Sequence, residues 1–236
     1  MKDEETQGSG PAYSQYYKNH SEDRNDILTN PGVLFQTLAF DRANIRALSR
    51  LELDRRTARV LDVGCGTGSS LLSLVRLGFD PANLSGIDIE QDRIDAALKQ
   101  APNVDFRCGD ARKLDYADGT FDLVLESTMF VLMTDENLAT EIAREMIRVT
   151  KPGSYIMLVD WRYGKPGNAT YRGLSKSRIA ALFDVGSSTR VEGVERGALV
   201  PPVGRFLSKS VPSLYFVVQA LLPPLVGQTT TVLRKI

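Results

Sequence analysis

From Ala58 to Trp161 the chain alternates short apolar runs with stretches of helical period. The runs are "ARVLDV", "NLSGIDI", "VDFRC", "FDLVLES" and "SYIMLVDW". The spacing predicts helices over Ser69–Leu77, where Leu71, Leu72, Leu74 and Val75 recur, over 91–100, and over 135–149, the last stopped by Lys151-Pro152-Gly153. The fourth run is entered through an Asp118-Gly119 turn. Such alternation folds as a parallel sheet covered on both faces, since each crossover returns the chain along a helix. Ligands then sit at the carboxyl ends of the strands, near the point where strand order reverses.

The first of those ends carries "VLDVGCGTGSS". Gly64, Gly66 and Gly68 give G-x-G-x-G around Cys65, and Ser69 stands where a dinucleotide fingerprint needs its third glycine. No Gly-Lys-Ser/Thr follows, so a phosphate loop is excluded. Asp62 would repel a pyrophosphate and favours a ligand with a cation, while the glycines allow close approach. Asp88 ends the second run, where an acid accepts the hydroxyls of a ribose. After the third run, in "CGDARKLDY", Asp110 can accept from an exocyclic amine, and the following backbone N–H can donate to a ring nitrogen. A cationic amino-acid group, a ribose and an adenine, met in that order, describe S-adenosylmethionine. A nicotinamide-dependent reductase fits less well, because of Asp62 and the missing glycine.

Four segments, "VLDVGCGTGSSL", "LSGIDIEQDRIDAAL", "VDFRCGDARKLDYADGTFDLVLES" and "EIAREMIRVTKPGSYIMLVD", resemble in order and spacing the class I S-adenosylmethionine-dependent methyltransferases, of small-molecule type. The resemblance covers about 58–161. It implies an α/β fold: a Rossmann-like, doubly wound, seven-stranded sheet, mostly parallel with the last strand antiparallel, which suits the terminal "QTTTVLRKI". It implies a helical N-terminal cap at 11–57, after a disordered leader at 1–10, and a methyltransferase domain at 58–236 with an inserted substrate cover at about 162–227. It implies S-adenosylmethionine held by Asp62, Gly64, Cys65, Gly66 and Gly68 at the methionine end, Asp88 and Ile89 at the ribose, Asp110 and Ala111 at the adenine, and Glu126 near the methyl group.

The flanks do not name the acceptor. A helix is expected over about 33–52, from the spacing of Leu34, Leu38, Ile45 and Leu48. Residues 11–31, polar and aromatic, are expected to close over the site. They hold the single histidine, His20, which is either a solvated loop residue or a general base. Glu126 and Asp160, at the ends of the fourth and fifth runs, are the other candidate bases. The apolar stretch Val211–Val226 is too short and proline-broken to span a bilayer, which takes roughly 20 residues. It reads as a packed helix, or as a shallow contact with a membrane or lipid substrate.

Composition excludes several classes. Lys plus Arg equals Asp plus Glu at 29 each, so there is no global electrostatic pull toward nucleic acid or anionic membrane, and only a local basic patch stays open. "ESTMF" follows the fourth run in place of an Asn-Pro-Pro-Tyr-type motif, which disfavours methylation of nucleobase or glutamine amino groups. The two cysteines have no metal spacing and suggest no disulfide, so no metal and a cytoplasmic setting are expected. The sequence thus points to methyl transfer to a small molecule, at oxygen, with a sugar or glycan intermediate and a quinone- or polyketide-like ring as acceptors. The alternative is a catalytically silent, S-adenosylmethionine-binding partner subunit.

Overall fold

The computed structural model describes residues 27–165 and 167–236. Helix α1 (Pro31–Leu48) precedes β1 (Val60–Val63), α2 (Ser69–Arg76), β2 (Leu84–Asp88), α3 (Gln91–Gln100), β3 (Asp105–Cys108) and β4 (Phe121–Ser127). Then come α4 (Glu136–Val149), β5 (Thr150–Trp161), α5 (Lys176–Leu182), β6 (Thr189–Arg196), α6 (Pro201–Ser210), α7 (Tyr215–Leu221) and β7 (Gln228–Lys235). The sheet runs β3-β2-β1-β4-β5-β7-β6. Strands β1 to β5 pair in parallel, and β7 lies antiparallel between β5 and β6. The expected fold class is what the chain adopts. Strand order reverses between β1 and β4, so the crevice opens above β1.

Each face of the sheet has its own core, set by the period-2 alternation of the strands. Leu61, Val63, Val124, Ile156 and Leu158 pack under α4 and α5. Val60, Leu123, Leu125, Met157 and Val159 pack under α2 and α3. Helix α4 shows how local sequence and packing agree. The Asp135 side chain caps the amides of Asn137 and Leu138, and Ala139, Ile142, Ala143, Met146 and Val149 form one buried face. Arg178, at α5, is buried and donates to the carbonyls of Phe130, Arg172 and Met133 while pairing with Glu136. It pins the turn after β4.

Helix α1 corrects one expectation. It ends at Leu48, and its buried stripe is Ala39, Ala43 and Ala47. Of the residues whose spacing suggested the helix, Leu34, Leu38 and Ile45 are exposed, while Leu48 packs against the core under α2. Small residues let α1 approach closely, and Ala39 packs with Leu199, Leu207, Tyr215 and Val226 from the C-terminal segment. Within the stretch expected to cover the substrate, β6 is instead an edge strand of the sheet. The expected leader, the closing segment up to residue 26 and His20 lie outside the described residues.

Candidate active site

The glycine loop leaves β1 and folds back on β2. The amides of Gly64 and Cys65 donate to the Ile87 carbonyl at 2.8 and 3.0 Å, and Gly68 donates to the Cys65 carbonyl at 2.9 Å. The Gly66 amide donates to Asp88 Oδ2 at 2.8 Å. These four amides are satisfied within the protein, so none is turned outward to cradle a phosphate. Gly64 and Gly68 have φ of +71° and +84°, a region that disfavours side chains. A Cβ on Gly64 would stand 2.7 Å from Met129 Sδ, and one on Gly68 2.7 Å from Phe106 Cζ. The guanidinium of Arg93 occupies the same side of Gly66. The glycines, read from sequence as room for a ligand, also make room for the protein's own side chains.

Asp62 lies beneath this loop. It is 1% exposed, and neither carboxylate oxygen has a hydrogen-bond partner. Burial, and then the nearby Asp88 carboxylate, push its acid well above the usual range. Ser70 opposes the rise, but no hydrogen bond of normal geometry joins it to Asp62. Buried polar groups are nearly always paired, and among the described residues nothing donates to this acid.

The remaining binding candidates gather beside it. Val63 is in register with Ile87, and Asp88 with Cys108, so Asp62, Asp88 and Asp110 close three adjacent strands. Asp88 also accepts from the Glu90 amide at 3.0 Å, which leaves each oxygen a second acceptor position. Ile89 is half exposed and Ala111 partly so, two apolar surfaces at neighbouring strand ends. Asp110 is held by Arg112, which lowers its pKa. The sequence did not single out Arg112 or Arg93. Both follow an acid by two or more residues in helical or turn sequence, a pattern indistinguishable from surface pairing.

Glu126 and Asp160 are placed differently from expectation. Strand alternation turns them to the α4 face, while Leu125 and Val159 face the opposite side. Glu126 is fully buried and accepts from the amides of Met129 at 3.0 Å and Val159 at 3.1 Å. Asp160 accepts from Val131 at 2.8 Å and Trp161 at 2.6 Å. Both acids are raised, foremost by burial, and the Asp160 charge adds to the effect on Glu126. They tie the ends of β4 and β5 to the turn at Met129–Val131. Each oxygen of both acids accepts one backbone amide, and both side chains lie on the α4 side of the sheet.

On the other face a cavity of about 660 Å³ lies between α1, the start of α2 and the ends of β4, β5 and β7. Phe40, Leu125, Met157, Val159 and Trp161 make its walls apolar, and Ser69, Ser70, Ser127, Thr128 and Gln228 add polar groups. From α1 come Gln36, Asp41 and Asn44. Gln36 Oε1 is buried without a partner, and the Asp41 acid is raised by burial against the pull of Arg76. These α1 residues were missed in the sequence. Gln36, Asp41 and Asn44 read there as the polar side of an amphipathic helix. Thr128 has φ of +59°, unusual for a β-branched residue, in a turn next to this cavity.

Residues 60–153 match the family model described as "Methyltransferase domain". The 2-methyl-6-phytyl-1,4-hydroquinone methyltransferase of Synechocystis sp. is 36% identical over 106 residues, 43% of this chain and 31% of that protein. The fatty-acid O-methyltransferase of Mycolicibacterium smegmatis is 36% identical over 115 residues, 47% of this chain and 40% of that protein. The chain therefore spans less than half the length of these curated relatives. A protein of Pyrococcus horikoshii OT3 of known structure superposes with a TM-score of 0.64, covering 94% of this chain and 99% of that one at 18% identity, a likeness of fold. Among the described residues no helix is long and apolar enough to cross a membrane.

Proposed function

We propose that the chain is a class I S-adenosylmethionine-dependent methyltransferase that transfers a methyl group from S-adenosylmethionine to a small, largely apolar ring bearing a hydroxyl. The observation that carries this reading is Asp62: a buried carboxylate with no partner among the described residues, under a loop that keeps the amides of Gly64, Cys65, Gly66 and Gly68 for the protein itself. Such a site suits an ammonium and not a phosphate. Asp62 would meet the amino-acid end, Asp88 the ribose, Ile89 and Ala111 the faces of the adenine, and Asp110 its exocyclic amine. When bound, S-adenosylmethionine supplies a methyl group already activated on a sulfonium.

The protein's own task is then alignment and exclusion of water, which can be worth about 7–11 kcal/mol. The cavity beside the loop supports this division of labour. Its apolar walls exclude water, and Gln36 and Thr128 stand where they can orient an acceptor hydroxyl. Those walls favour a quinone- or polyketide-like ring over a sugar. The names of the two relatives, a hydroquinone and a fatty-acid methyltransferase, agree with an apolar acceptor. Asp41, an exposed residue of α1 that lines the cavity, joins Glu126 and Asp160 as a candidate base for transfer to oxygen.

The test is formation of S-adenosylhomocysteine when the protein is given S-adenosylmethionine and a panel of hydroquinones, phenols and sugars. Turnover confined to apolar hydroxylated rings is the expected result. Cofactor binding without turnover on any acceptor would favour the silent-subunit reading. The specific observation behind that alternative is the inward orientation of Glu126 and Asp160.

A further inference from the structure

Helix α7 is amphipathic in the wrong sense for a surface helix. Its inward side carries Tyr215 and Gln219, both buried. Its outward side carries Leu214, Val217 and Leu221 at i, i+3 and i+7, with Leu221 72% exposed. Leu222, Val211 and Phe206 of α6 extend the exposed apolar surface, Phe206 being 63% exposed.

The orientation is fixed by hydrogen bonds. The Tyr215 hydroxyl accepts from the Leu199 amide at 3.1 Å. Gln219 accepts from Arg42 Nη1 at 2.9 Å and donates to the carbonyls of Arg196 and Gly197. Rolling α7 over to bury its aliphatic stripe would break all of these. The exposed stripe is therefore part of the folded state, and patches of this kind mark interaction surfaces.

We propose that this face, the outward side of α7 with the exposed end of α6, docks on a lipid surface bearing anionic headgroups. Charge selects the partner. From Gly197 to Ile236 the chain contains no Asp or Glu, and Lys209 stands exposed at the end of α6. An anionic bilayer complements a segment that carries an exposed lysine and no acid, whereas a symmetric dimer would set that segment's lysine against its own copy. Helix α7 is far too short to span a membrane, so the contact is a shallow one in the interface plane.

The position suits an apolar acceptor. Arg162 donates to the carbonyls of Pro223 and Val226, and Tyr163 to that of Pro224, so the segment following α7 is fastened to the end of β5. The neighbours of those residues, Trp161 and Gln228, line the cavity. The docking surface itself does not depend on the methyl-transfer reading.

The full chain is tested by sedimentation with vesicles of phosphatidylcholine alone and of phosphatidylcholine with phosphatidylglycerol. The expected result is partition onto the anionic vesicles, weaker onto the neutral ones, and reduced by about tenfold in Val217→Asp/Leu221→Asp. Circular dichroism checks that the variant is folded. Should it not fold, Lys209→Glu provides the second probe and must weaken anionic binding while leaving the spectrum unchanged. No partition of the unaltered chain, or equal partition of a folded variant, overturns the proposal. A concentration-dependent dimer that the variant abolishes, without vesicle binding, overturns it in favour of a second copy.

Discussion

The carboxylate of Asp88 accepts the Gly66 amide at 2.8 Å, so the acid that closes β2 also holds the loop that closes β1. In the proposed site one side chain would serve both the ligand's ribose and the shape of the loop. Asp88→Ala should therefore act before any ligand arrives. Amide exchange at 64–68 is expected to accelerate in the ligand-free variant, and cofactor affinity to fall by at least about tenfold, the worth of one charge-assisted hydrogen bond. Unchanged exchange in a folded variant would show that the loop stands without Asp88.

Asp62→Asn is expected to separate affinity from stability. Asn stays neutral in both folded and unfolded chains, whereas the raised Asp62 acid costs stability as pH rises above about 4, so at neutral pH the denaturation midpoint should rise. The same change removes the partner of the ligand's ammonium, and calorimetry should find the affinity lowered by about 10–100-fold. A variant that is both less stable and equally able to bind would contradict the assignment.

Asp62 also sets a sign for the pH dependence of binding. Its acid is raised in the free protein, and an ammonium placed against it favours the ionised form. Binding should release protons and tighten as pH rises from about 5 towards Asp62's own raised value. Calorimetry in buffers of different ionisation enthalpy counts the protons. Uptake, or none, would remove the ion pair.

Stability should run the other way. Asp62, Glu126 and Asp160 all have folded-state pKa values raised above those of the unfolded chain. Between about pH 4 and those raised values the folded state binds more protons, so stability is greatest at the acid end of this window and falls as pH rises. The lowered acids, Asp110 and Glu145, act only at and below about pH 4. Urea denaturation at pH 5 and pH 8 measures the difference.

Thr128→Gly tests the strained turn. A left-handed β-branched residue costs about 1–3 kcal/mol, and glycine should recover part of it as a higher melting temperature. If Thr128 orients the acceptor, turnover should fall while cofactor affinity stays the same.

The seven-stranded, mostly parallel sheet was legible because its signals are local, and so was the clustering of acids and glycines at neighbouring strand ends. Strand period, a glycine loop and acids at strand ends stand in consecutive residues. Where sequence reasoning failed, the deciding contact was distant. Glu126 and Asp160 share the strand-end position that identified Asp88, but one residue of alternation turns them under α4, where the turn at Met129–Val131 binds them. The apolar spacing on α1 located a helix but not its buried side. That depended on Ala39 meeting a segment more than 150 residues away. Asp62's lack of a partner has no sequence signature at all.

The two cysteines divide the molecule in a way useful to an experimenter. Cys65 is buried in the glycine loop, its thiol pushed far up by burial and by Asp62 and Asp88, which makes it a poor nucleophile. Cys108 is exposed at the end of β3, its sulfur 3.5 Å from the Ile89 carbonyl, beside the proposed adenine slot. The unaltered chain thus offers one reactive labelling position, and a maleimide fluorophore there would report ligand occupancy by its emission.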